Sequence, residues 1–351
     1  MIRLLRSGWW VLPVAVVVTL VAAVAVFRAT PSGGDLIGDG HDPATYGFDL
    51  SGLLDEGSSL VAGGVARDAR PVLVDPELLE GRDVAAINET ERGKLLVSDD
   101  RVAGLVVDGE ARAWPLRLLR RHELVNDVLG GEPVVVAYAP LADLVVAASR
   151  RLGDEVLELA ISGLFVDSMP LYFDRRETPS DATLWHPMTL AAVSGPHAGQ
   201  RLALLPVQLA TWADWLQAHP DTTVLAPVPE MSRQYRRDPY HSYFGSDLLR
   251  FPVDPLPPDD GLRLKDRLVI VGEGDAARAF ALPRLAAKLG MPAGSWQTDV
   301  AGRPVRIDFR LDPGTATVAR TDGADLDLAV RHAFRFAWYA TAPSSPPPGP
   351  R

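Results

Sequence analysis

The sequence contains no cysteine among its 351 residues. The chain therefore forms no disulfides, offers no thiolate ligand to a metal or an iron–sulfur cluster, and has no cysteine nucleophile or lipidated cysteine. Lysine is almost as scarce and stands only at positions 94, 265 and 288, so the basic charge comes mainly from arginine. The net charge of −10 disfavours binding to nucleic acid or to anionic lipid, and we expect no nucleic-acid partner.

Complete catalytic motifs are also missing. A zinc-protease helix needs His-Glu-x-x-His, but asparagine stands at position 126, where the second histidine would follow His122-Glu123. Gly272 and Gly274 begin a dinucleotide-type loop, yet position 277 is alanine and no regular alternation of strands and helices follows. The Gly-x-Ser-x-Gly elbow of serine hydrolases does not occur. We therefore expect neither a bound metal nor a cofactor.

The longest apolar run lies near the N-terminus. Residues 9–27 read WWVLPVAVVVTLVAAVAVF and carry no charge. As a helix, this run spans ~28 Å, close to the hydrocarbon thickness of a bilayer. Arg3 and Arg6 precede it, and the positive-inside rule then places the body on the extracytoplasmic side. We predict that residues 1–28 form a single-pass anchor in the cell membrane; the alternative is a signal peptide cleaved at the small residues 23–25.

Composition divides the rest of the chain into three parts. Residues 29–59 are rich in Gly, Asp, Ser and Pro and are predicted to be a flexible spacer, and the Pro-rich tail at 341–351 is predicted to be disordered. Residues 60–340 between them form the predicted folded body. Its strand signals are the hairpin VAGLVVDGEARAW at 102–114, with Asp108-Gly109 as the turn, and apolar runs at 133–139, 143–149, 156–162, 267–272 and 304–311.

Helix signals are fewer and shorter than strand signals. One helix is predicted from Pro115 to about Val128, where Gly130-Gly131 would stop it. Two others are predicted over 209–219 and 282–288, each ending close to a proline or a glycine. The predicted fold class is therefore α+β, a strand-rich mixed fold with one N-terminal transmembrane helix.

The body contains an internal similarity. The segment VVDGEARAWPLRLL at 106–119 resembles VGEGDAARAFALPRLA at 271–286, and the 131–150 segment resembles 302–320. The spacing between the matched residues is nearly constant, which favours two duplicated strand–helix–strand units over a chance likeness of two amphipathic segments. A true duplication predicts that the two units pack as pseudo-symmetric halves.

Several separate motifs, in order along the body, resemble a bacterial family called domain of unknown function 3179. The resemblance covers about residues 60–340 and implies a domain that is often exported or anchored and that shares a polar core; it implies no activity. The motifs are GEARAWPLRLLRRHELVND (109–127), GGEPVVVAYAPLADL (130–144), SGLFVDSMPLYFDR (162–175), TLWHPM (183–188), GPHAG (195–199), TWADWLQAHPDTTVL (211–225), RQYRRDPYHSYF (233–244) and FRFAWYA (334–340).

One departure from the family pattern concerns the strand that typically reads Tyr-Cys-Pro-Leu-Cys. Here it reads Tyr138-Ala139-Pro140-Leu141-Ala142, so alanine stands at both cysteine positions. Two thiols at that spacing can bind a soft metal or cycle through a disulfide, and alanine does neither. This chain cannot use any chemistry that depends on that thiol pair.

The polar cluster from His122 to Asp127 is the first candidate site. On the predicted helix, His122 and Asn126 are one turn apart, as are Glu123 and Asp127. His122, Glu123 and Asp127 are the candidates for general acid/base catalysis. The alternative is structural: Asn126 and Asp127 bond backbone groups near the Gly-Gly turn, and His122 is a buried, hydrogen-bonded residue.

A second candidate site combines Tyr138, Asp174, Arg175 and Trp185 with Asn126 as ligand-binding residues. Arg175 has the geometry to hold a carboxylate or phosphate through two parallel hydrogen bonds. The structural alternatives are an ion pair of Arg175 with Glu123 or Asp127, and core packing for Trp185.

Three functional hypotheses follow from these residues. The preferred one is a membrane-anchored extracytoplasmic binding or accessory module whose ligand is small and polar or anionic. The second is a hydrolase-like or transferase-like enzyme that uses His122 with Glu123 or Asp127. It requires His122, Asp174 and Arg175 to converge in an open cleft. The third and weakest is a metalloprotein with a His/Asp/Glu site.

Overall fold

The structure, a computed structural model, describes residues 37–51, 53, 59–90 and 94–344. The predicted anchor at residues 1–28 lies outside this part of the chain, as does most of the predicted tail. Within the described part, no helix is both long enough and apolar enough to cross a bilayer.

Strands dominate the body, as the sequence predicts. In chain order they are β1 (Val61–Ala62), β2 (Leu73–Val74), β3 (Leu78–Glu80), β4 (Arg101–Val107), β5 (Glu110–Pro115), β6 (Leu124–Leu129), β7 (Glu132–Ala139), β8 (Leu144–Ser149), β9 (Arg151–Leu152), β10 (Glu155–Val156), β11 (Leu159–Val166), β12 (Met169–Asp174), β13 (Leu184–Trp185), β14 (Ala192–Ser194), β15 (Gln208–Thr211), β16 (Thr223–Leu225), β17 (Arg267–Val271), β18 (Arg278–Ala281), β19 (Ala293–Val300), β20 (Arg303–Arg310), β21 (Thr315–Arg320) and β22 (Val330–Phe334).

The helices are short, and several follow a strand directly. They are α1 (Val84–Thr90), α2 (Leu116–His122), α3 (Trp212–Ala218), α4 (Ser232–Tyr235), α5 (His241–Phe244), α6 (Leu282–Leu289) and α7 (Arg335–Thr341). This strand-rich mixture confirms the α+β class.

Local turn chemistry correctly predicted the first hairpin. Strands β4 and β5 pair in antiparallel register up to Val107 opposite Glu110. Asp108 and Gly109 between them have positive φ angles of 47° and 79°. A two-residue turn of this kind matches the right-handed twist of the strands it joins.

The prediction of one helix from Pro115 to Val128 is wrong. Helix α2 ends at His122, and Glu123 then adopts a left-handed conformation with φ 60°. The following residues form β6, which pairs with β7 from Leu124 to Leu129. Polar residues one helical turn apart suggested a continuing helix, but the paired strand buries Leu124 and Val125 on opposite faces of a sheet instead.

Two large sheets, one five-stranded sheet and the two-stranded hairpin β9-β10 make up the body. The eight-stranded sheet has the order β19-β20-β21-β15-β4-β5-β16-β3, and the seven-stranded sheet has the order β18-β17-β22-β8-β7-β6-β2. The five-stranded sheet has the order β1-β11-β12-β13-β14.

Each of the two large sheets combines a hairpin from one similar segment with a three-stranded meander from the other. In the eight-stranded sheet, the hairpin β4-β5 from the first similar segment lies beside the meander β19-β20-β21 from the second, with β15 between them. In the seven-stranded sheet, the hairpin β17-β18 from the second segment lies beside the meander β6-β7-β8 from the first, with β22 between them. Each joining strand leads directly into a helix, α3 or α7.

Alternation along the central strands produces three layers. On β7, Val134, Val136 and Tyr138 pack between the two large sheets. Val135 and Ala137 point the other way, toward the core shared with Tyr172 and Trp185 of the five-stranded sheet. The seven-stranded sheet is therefore buried on both faces, which explains its nearly continuous apolar sequence.

Part of the predicted spacer packs against the body. Residues Pro43–Tyr46 form a 3₁₀ turn capped by Asp42, whose side chain accepts a hydrogen bond from the Ala44 amide. The Tyr46 ring is fully buried, and its hydroxyl donates to the Val65 carbonyl at 2.6 Å. Residues 43–46 of the predicted spacer therefore form an ordered turn whose tyrosine packs in the body.

Candidate functional site

A cavity of about 340 Å³ lies where four of the sequence motifs meet, the fourth being SGLFVDSMPLYFDR, which supplies Phe165 and Pro170. Glu123 comes from RRHELVND, Pro140 and Leu141 come from YAPLA, and Tyr240 comes from RDPYHSYF. Most of the other lining residues are apolar, and two are arginines. The full lining is Gly63, Arg70, Glu123, Pro140, Leu141, Phe165, Pro170, Tyr240, Arg250 and Phe251.

Glu123 is the most unusual residue of this lining. It is 3 % exposed, and the closest cation to its carboxylate is the Arg70 guanidinium, whose Nε lies 3.5 Å from Oε1. Its backbone is fixed on both sides, because its amide donates to the Leu119 carbonyl and its carbonyl accepts from the Tyr138 amide. Burial raises the pKa of the Glu123 carboxyl, and the nearby Arg70 offsets this only in part.

The second similar segment has a glycine at the position that corresponds to Glu123. Gly290 follows the last residue of α6 with φ 66°, just as Glu123 follows the last residue of α2 with φ 60°. Glycine is the usual residue at such a left-handed helix end, because a Cβ atom makes that conformation costly. A glutamate held there suggests that its side chain, rather than its backbone, is what the site needs.

The charge of Glu123 acts on the hydroxyls of two tyrosines, Tyr172 and Tyr240. The Tyr172 hydroxyl is buried and has no hydrogen-bond partner among the described residues. Burial raises the pKa of Tyr172, and the negative charge of Glu123 adds to this effect. Burial likewise raises the pKa of Tyr240, with Glu123 raising it further and Arg70 and Arg250 lowering it. The charges of Glu123, Arg70 and Arg250 therefore all act on the Tyr240 hydroxyl.

One wall of the cavity consists of a segment outside the large sheets. It contains α5 and supplies Tyr240, Arg250 and Phe251. The Phe251 ring lies 4.5 Å from the Phe165 ring, and the Tyr243 hydroxyl donates to the Leu141 carbonyl at 2.8 Å. The Lys265 ammonium holds the segment by donating to three of its carbonyls, those of Tyr243, Ser246 and Leu248.

The residues before Glu123 anchor the start of this wall. Arg120 pairs with Asp238 at 2.8 Å, and Arg121 donates to the Gln234 carbonyl. The His122 Nε2 lies 2.6 Å from the Tyr235 hydroxyl, and its Nδ1 lies 2.6 Å from the Pro71 carbonyl oxygen. The Pro71 carbonyl accepts only, so Nδ1 carries the proton and Nε2 accepts from Tyr235.

His122 is therefore not available for acid/base chemistry in the cavity. It is buried, both ring nitrogens are bonded, and burial lowers its pKa, which favours the neutral ring. Asp174 and Arg175 belong to different networks, so the open cleft required by the enzyme hypothesis is not formed by these three residues. This geometry argues against His122 as an acid or base.

Asn126 and Asp127 make structural contacts. The Asn126 side chain joins two sheets, because its Nδ2 donates to the Leu159 carbonyl and its Oδ1 accepts from the Leu159 amide, both at 2.9 Å. Asp127 accepts from Arg112 Nη1 at 2.7 Å and from the Trp114 indole at 3.2 Å. These bonds agree with the structural alternative from the sequence, although both residues lie on a strand rather than at a helix end.

The second predicted cluster is likewise dispersed. The buried Tyr138 hydroxyl donates to Asp143, and the buried Asp174 accepts from the Thr183 amide and pairs with Arg176. Arg175 pairs with Asp68 and Glu158 rather than with Glu123 or Asp127. Trp185 is buried in the core beside Tyr172.

Of the lining residues, sequence reasoning named only Glu123 as a site candidate; the charged and phenolic residues that it missed are Arg70, Tyr240 and Arg250. The RDPYHSYF motif contained Tyr240, and its position in a loop-like stretch between predicted elements was the available signal. Arg70 and Arg250 stand in no motif, and only the folded chain brings them to Glu123. Among the described residues, no three His, Asp or Glu side chains lie close enough together to hold a metal ion.

The fold and this cavity define a class of protein: a strand-rich α+β domain with a half-polar cavity between its small sheet and a loop wall. The chain belongs to the family described as "Protein of unknown function (DUF3179)", which matches residues 68–345. This match confirms the resemblance drawn from the motifs. No curated protein and no solved structure matches the chain.

Proposed function

We propose that this protein is a membrane-anchored, extracytoplasmic module that binds a small ligand in the cavity around Glu123. The anchoring rests on the uncharged run at residues 9–27 and the arginines before it. The binding rests on one observation above all: a buried glutamate lines a cavity while occupying a left-handed position where the second half of the chain has glycine.

We also infer that the two halves of the body arose by duplication. The equal order of hairpin, helix and meander in both halves supports this, as does the exchange of hairpins between the two large sheets. The halves differ at the helix end, where the first has Glu123 and the second has Gly290. On this view, only the first half carries a binding residue at that position.

The membrane topology can be tested with single cysteines, because the chain has none of its own. Leu248 is 76 % exposed, and we expect a Leu248→Cys variant to react with a membrane-impermeant maleimide in intact cells. A Ser7→Cys variant, placed before the apolar run, should react only after the cells are permeabilised. Labelling of Leu248→Cys only after lysis would contradict the proposed orientation.

Ligand binding can be tested by thermal shift of the full-length protein against a library of small polar and charged fragments. We expect some fragments to raise the Tm of the wild type and to lose most of that effect in Glu123→Gly, because a ligand that binds only the folded state stabilises it. Fragments that stabilise both proteins equally would place binding outside this cavity.

An acid/base enzyme is the second candidate function, and the raised pKa of Glu123 is the observation that favours it. In this form the enzyme uses Glu123 without His122. The same fragment experiment separates the two functions. Bound fragments recovered unchanged support a binding module, whereas Glu123-dependent conversion supports the enzyme.

A further inference from the structure

The cavity contains two arginines with unused hydrogen-bond donors. Arg250 is exposed at the lining and makes no hydrogen bond or ion pair with any described residue. Arg70 approaches Glu123 only through Nε, at 3.5 Å, and its side chain is 35 % exposed. Each guanidinium therefore keeps planar pairs of N–H groups that match the geometry of a carboxylate or a phosphate.

The balance of charge in the cavity is positive. Glu123 is the single acidic residue of the lining, against Arg70 and Arg250. An anionic ligand would supply the missing negative charge.

The rest of the cavity wall is mainly apolar. The rings of Phe165 and Phe251 pack against each other at 4.5 Å, and Pro140, Leu141 and Pro170 add further apolar surface. Inorganic anions such as phosphate would leave this apolar surface uncovered. An organic anion with an aliphatic or aromatic body would cover it and gain the free energy of apolar burial.

The buried part of the cavity contains the acidic group of Glu123, whereas the two arginines lie in its more exposed part. Glu123 is almost fully buried there, and among the described residues its carboxyl group is approached only by the Arg70 Nε, at 3.5 Å. Buried polar groups without partners cost free energy unless something bonds to them. A hydroxyl or amino group on the ligand can supply that bond.

We propose that the cavity recognises a small organic carboxylate, whose acid group binds Arg70 and Arg250 and whose distal hydroxyl or amino group binds Glu123. The apolar body of the ligand lies against Leu141, Phe165 and Phe251. This inference rests on the proposed function and adds the chemical class of the ligand. Glu123 then stays at its left-handed position because binding requires it, at the expense of stability.

Four related probes test this class: 4-hydroxyphenylacetate, phenylacetate, the neutral 4-hydroxyphenylacetamide and phenyl phosphate. Each is titrated into the full-length protein up to about 10 mM, and the Tm shift gives its Kd. We expect 4-hydroxyphenylacetate to bind best. Loss of its hydroxyl or of its charge should each weaken binding about tenfold or more, the usual effect of a lost hydrogen bond to a charged or buried group.

Two variants connect binding to the named residues. Arg250→Gln should weaken the carboxylates about tenfold while leaving the neutral amide nearly unchanged. Arg233 is exposed outside the lining, and Arg233→Gln is the matched control that should bind like the wild type. Glu123→Gly should weaken 4-hydroxyphenylacetate to the level of phenylacetate and raise the Tm of the ligand-free protein by about 2–4 °C, because the backbone strain is relieved.

The outcomes separate this inference from the proposed function. If neutral fragments bind in a Glu123-dependent manner and carboxylates do not, the ligand class is wrong and the binding module stands. A preference for phenyl phosphate over phenylacetate would replace the carboxylate by a phosphate ester. If neither these probes nor any library fragment shifts the Tm, both proposals fail. A lower Tm for Glu123→Gly would show that glutamate is kept for stability instead.

Discussion

Replacing Asp143 by asparagine is expected to lower the free energy of unfolding by about 3–4 kcal/mol. The Asp143 carboxylate is 2 % exposed and accepts hydrogen bonds from Arg101, Arg267 and the Tyr138 hydroxyl. Arg101 belongs to the eight-stranded sheet and Arg267 to the seven-stranded sheet, so this carboxylate joins the two. Asparagine keeps the shape but leaves two guanidinium groups without their negative partner.

The expected loss of unfolding free energy in Asp143→Asn lies in the lower part of the range for a broken buried ion pair. Arg101 is 10 % exposed, but the Arg267 side chain is 30 % exposed and can recover some hydration. The Tyr138 hydroxyl can still donate to the amide oxygen of asparagine, which further limits the cost. The measurement is urea denaturation of the full-length wild type and variant at neutral pH.

The pH dependence of this difference has a definite sign. Burial by itself raises the pKa of Asp143, but Arg101 and Arg267 outweigh it and lower the pKa to about 2. The unfolded-state pKa is about 3.9, so the stabilisation is present above that pH and is lost as the pH falls toward 2. The difference in the free energy of unfolding between the wild type and Asp143→Asn should therefore become smaller below about pH 4.

A matched control is Asp221→Asn, because Asp221 is exposed in a turn. It should change the free energy of unfolding by less than about 0.5 kcal/mol. If Asp143→Asn costs no more than this control, the carboxylate does not hold the sheets together in solution.

Asn126→Ala is expected to destabilise the protein by about 2–4 kcal/mol, since each buried backbone group left without a partner costs about 1–3 kcal/mol. Asn126 is fully buried, and its amide satisfies both the N–H and the C=O of Leu159. Leu159 begins β11 of the five-stranded sheet, while Asn126 lies in β6 of the seven-stranded sheet. The side chain therefore acts like one extra strand pairing between two sheets.

The chain contains its own control for this prediction. Asn88 bonds in the same way, with Nδ2 donating to the Leu96 carbonyl and Oδ1 accepting from the Leu95 amide, but its surroundings are only partly buried. Asn88→Ala should cost about 1 kcal/mol, because water can replace some of the lost bonds. Equal losses for the two variants in urea denaturation would contradict the role assigned to burial.

A comparison of the two halves identifies side chains that occupy a strained, left-handed backbone position. At the helix end, the first half has Glu123 and the second has Gly290, both left-handed. At the residue before the last strand of each meander, the first half has Asp143 with φ 43° and the second has Gly314 with φ 86°. Asp143 uses its side chain to join the sheets, whereas Glu123 has no comparable structural bond, which is why we assign it to binding.

Much of the fold could be predicted from local sequence. The hairpin at Asp108-Gly109, the strands β7, β8, β17 and β20, and the helix α6 follow from alternation, helical spacing and turn residues. These signals act between residues close in the chain, so no tertiary information is needed to interpret them. The family motifs were sufficient to identify the family.

The candidate site was harder to predict, for two physical reasons. Polar residues one helical turn apart predict a helix as far as Asp127, but the helix ends at His122 because residues 124–129 pair with β7, and Val125 and Val128 favour a strand. Spacing along the chain groups the ionisable residues 122–127 into one site, although His122 and Asp127 satisfy separate buried networks. Glu123 alone among the acid/base candidates lines the cavity.

The sequence by itself determined the thiol-free chemistry, the family, the strand-rich class and the apolar run before the body. Each of these depends on residue identity or on short-range periodicity. Only the tertiary structure decided that Glu123, Arg70 and Arg250 line one cavity and that the two halves exchange their hairpins. Those contacts join residues separated by scores of positions, and burial, strand pairing and the geometry of the folded chain select them.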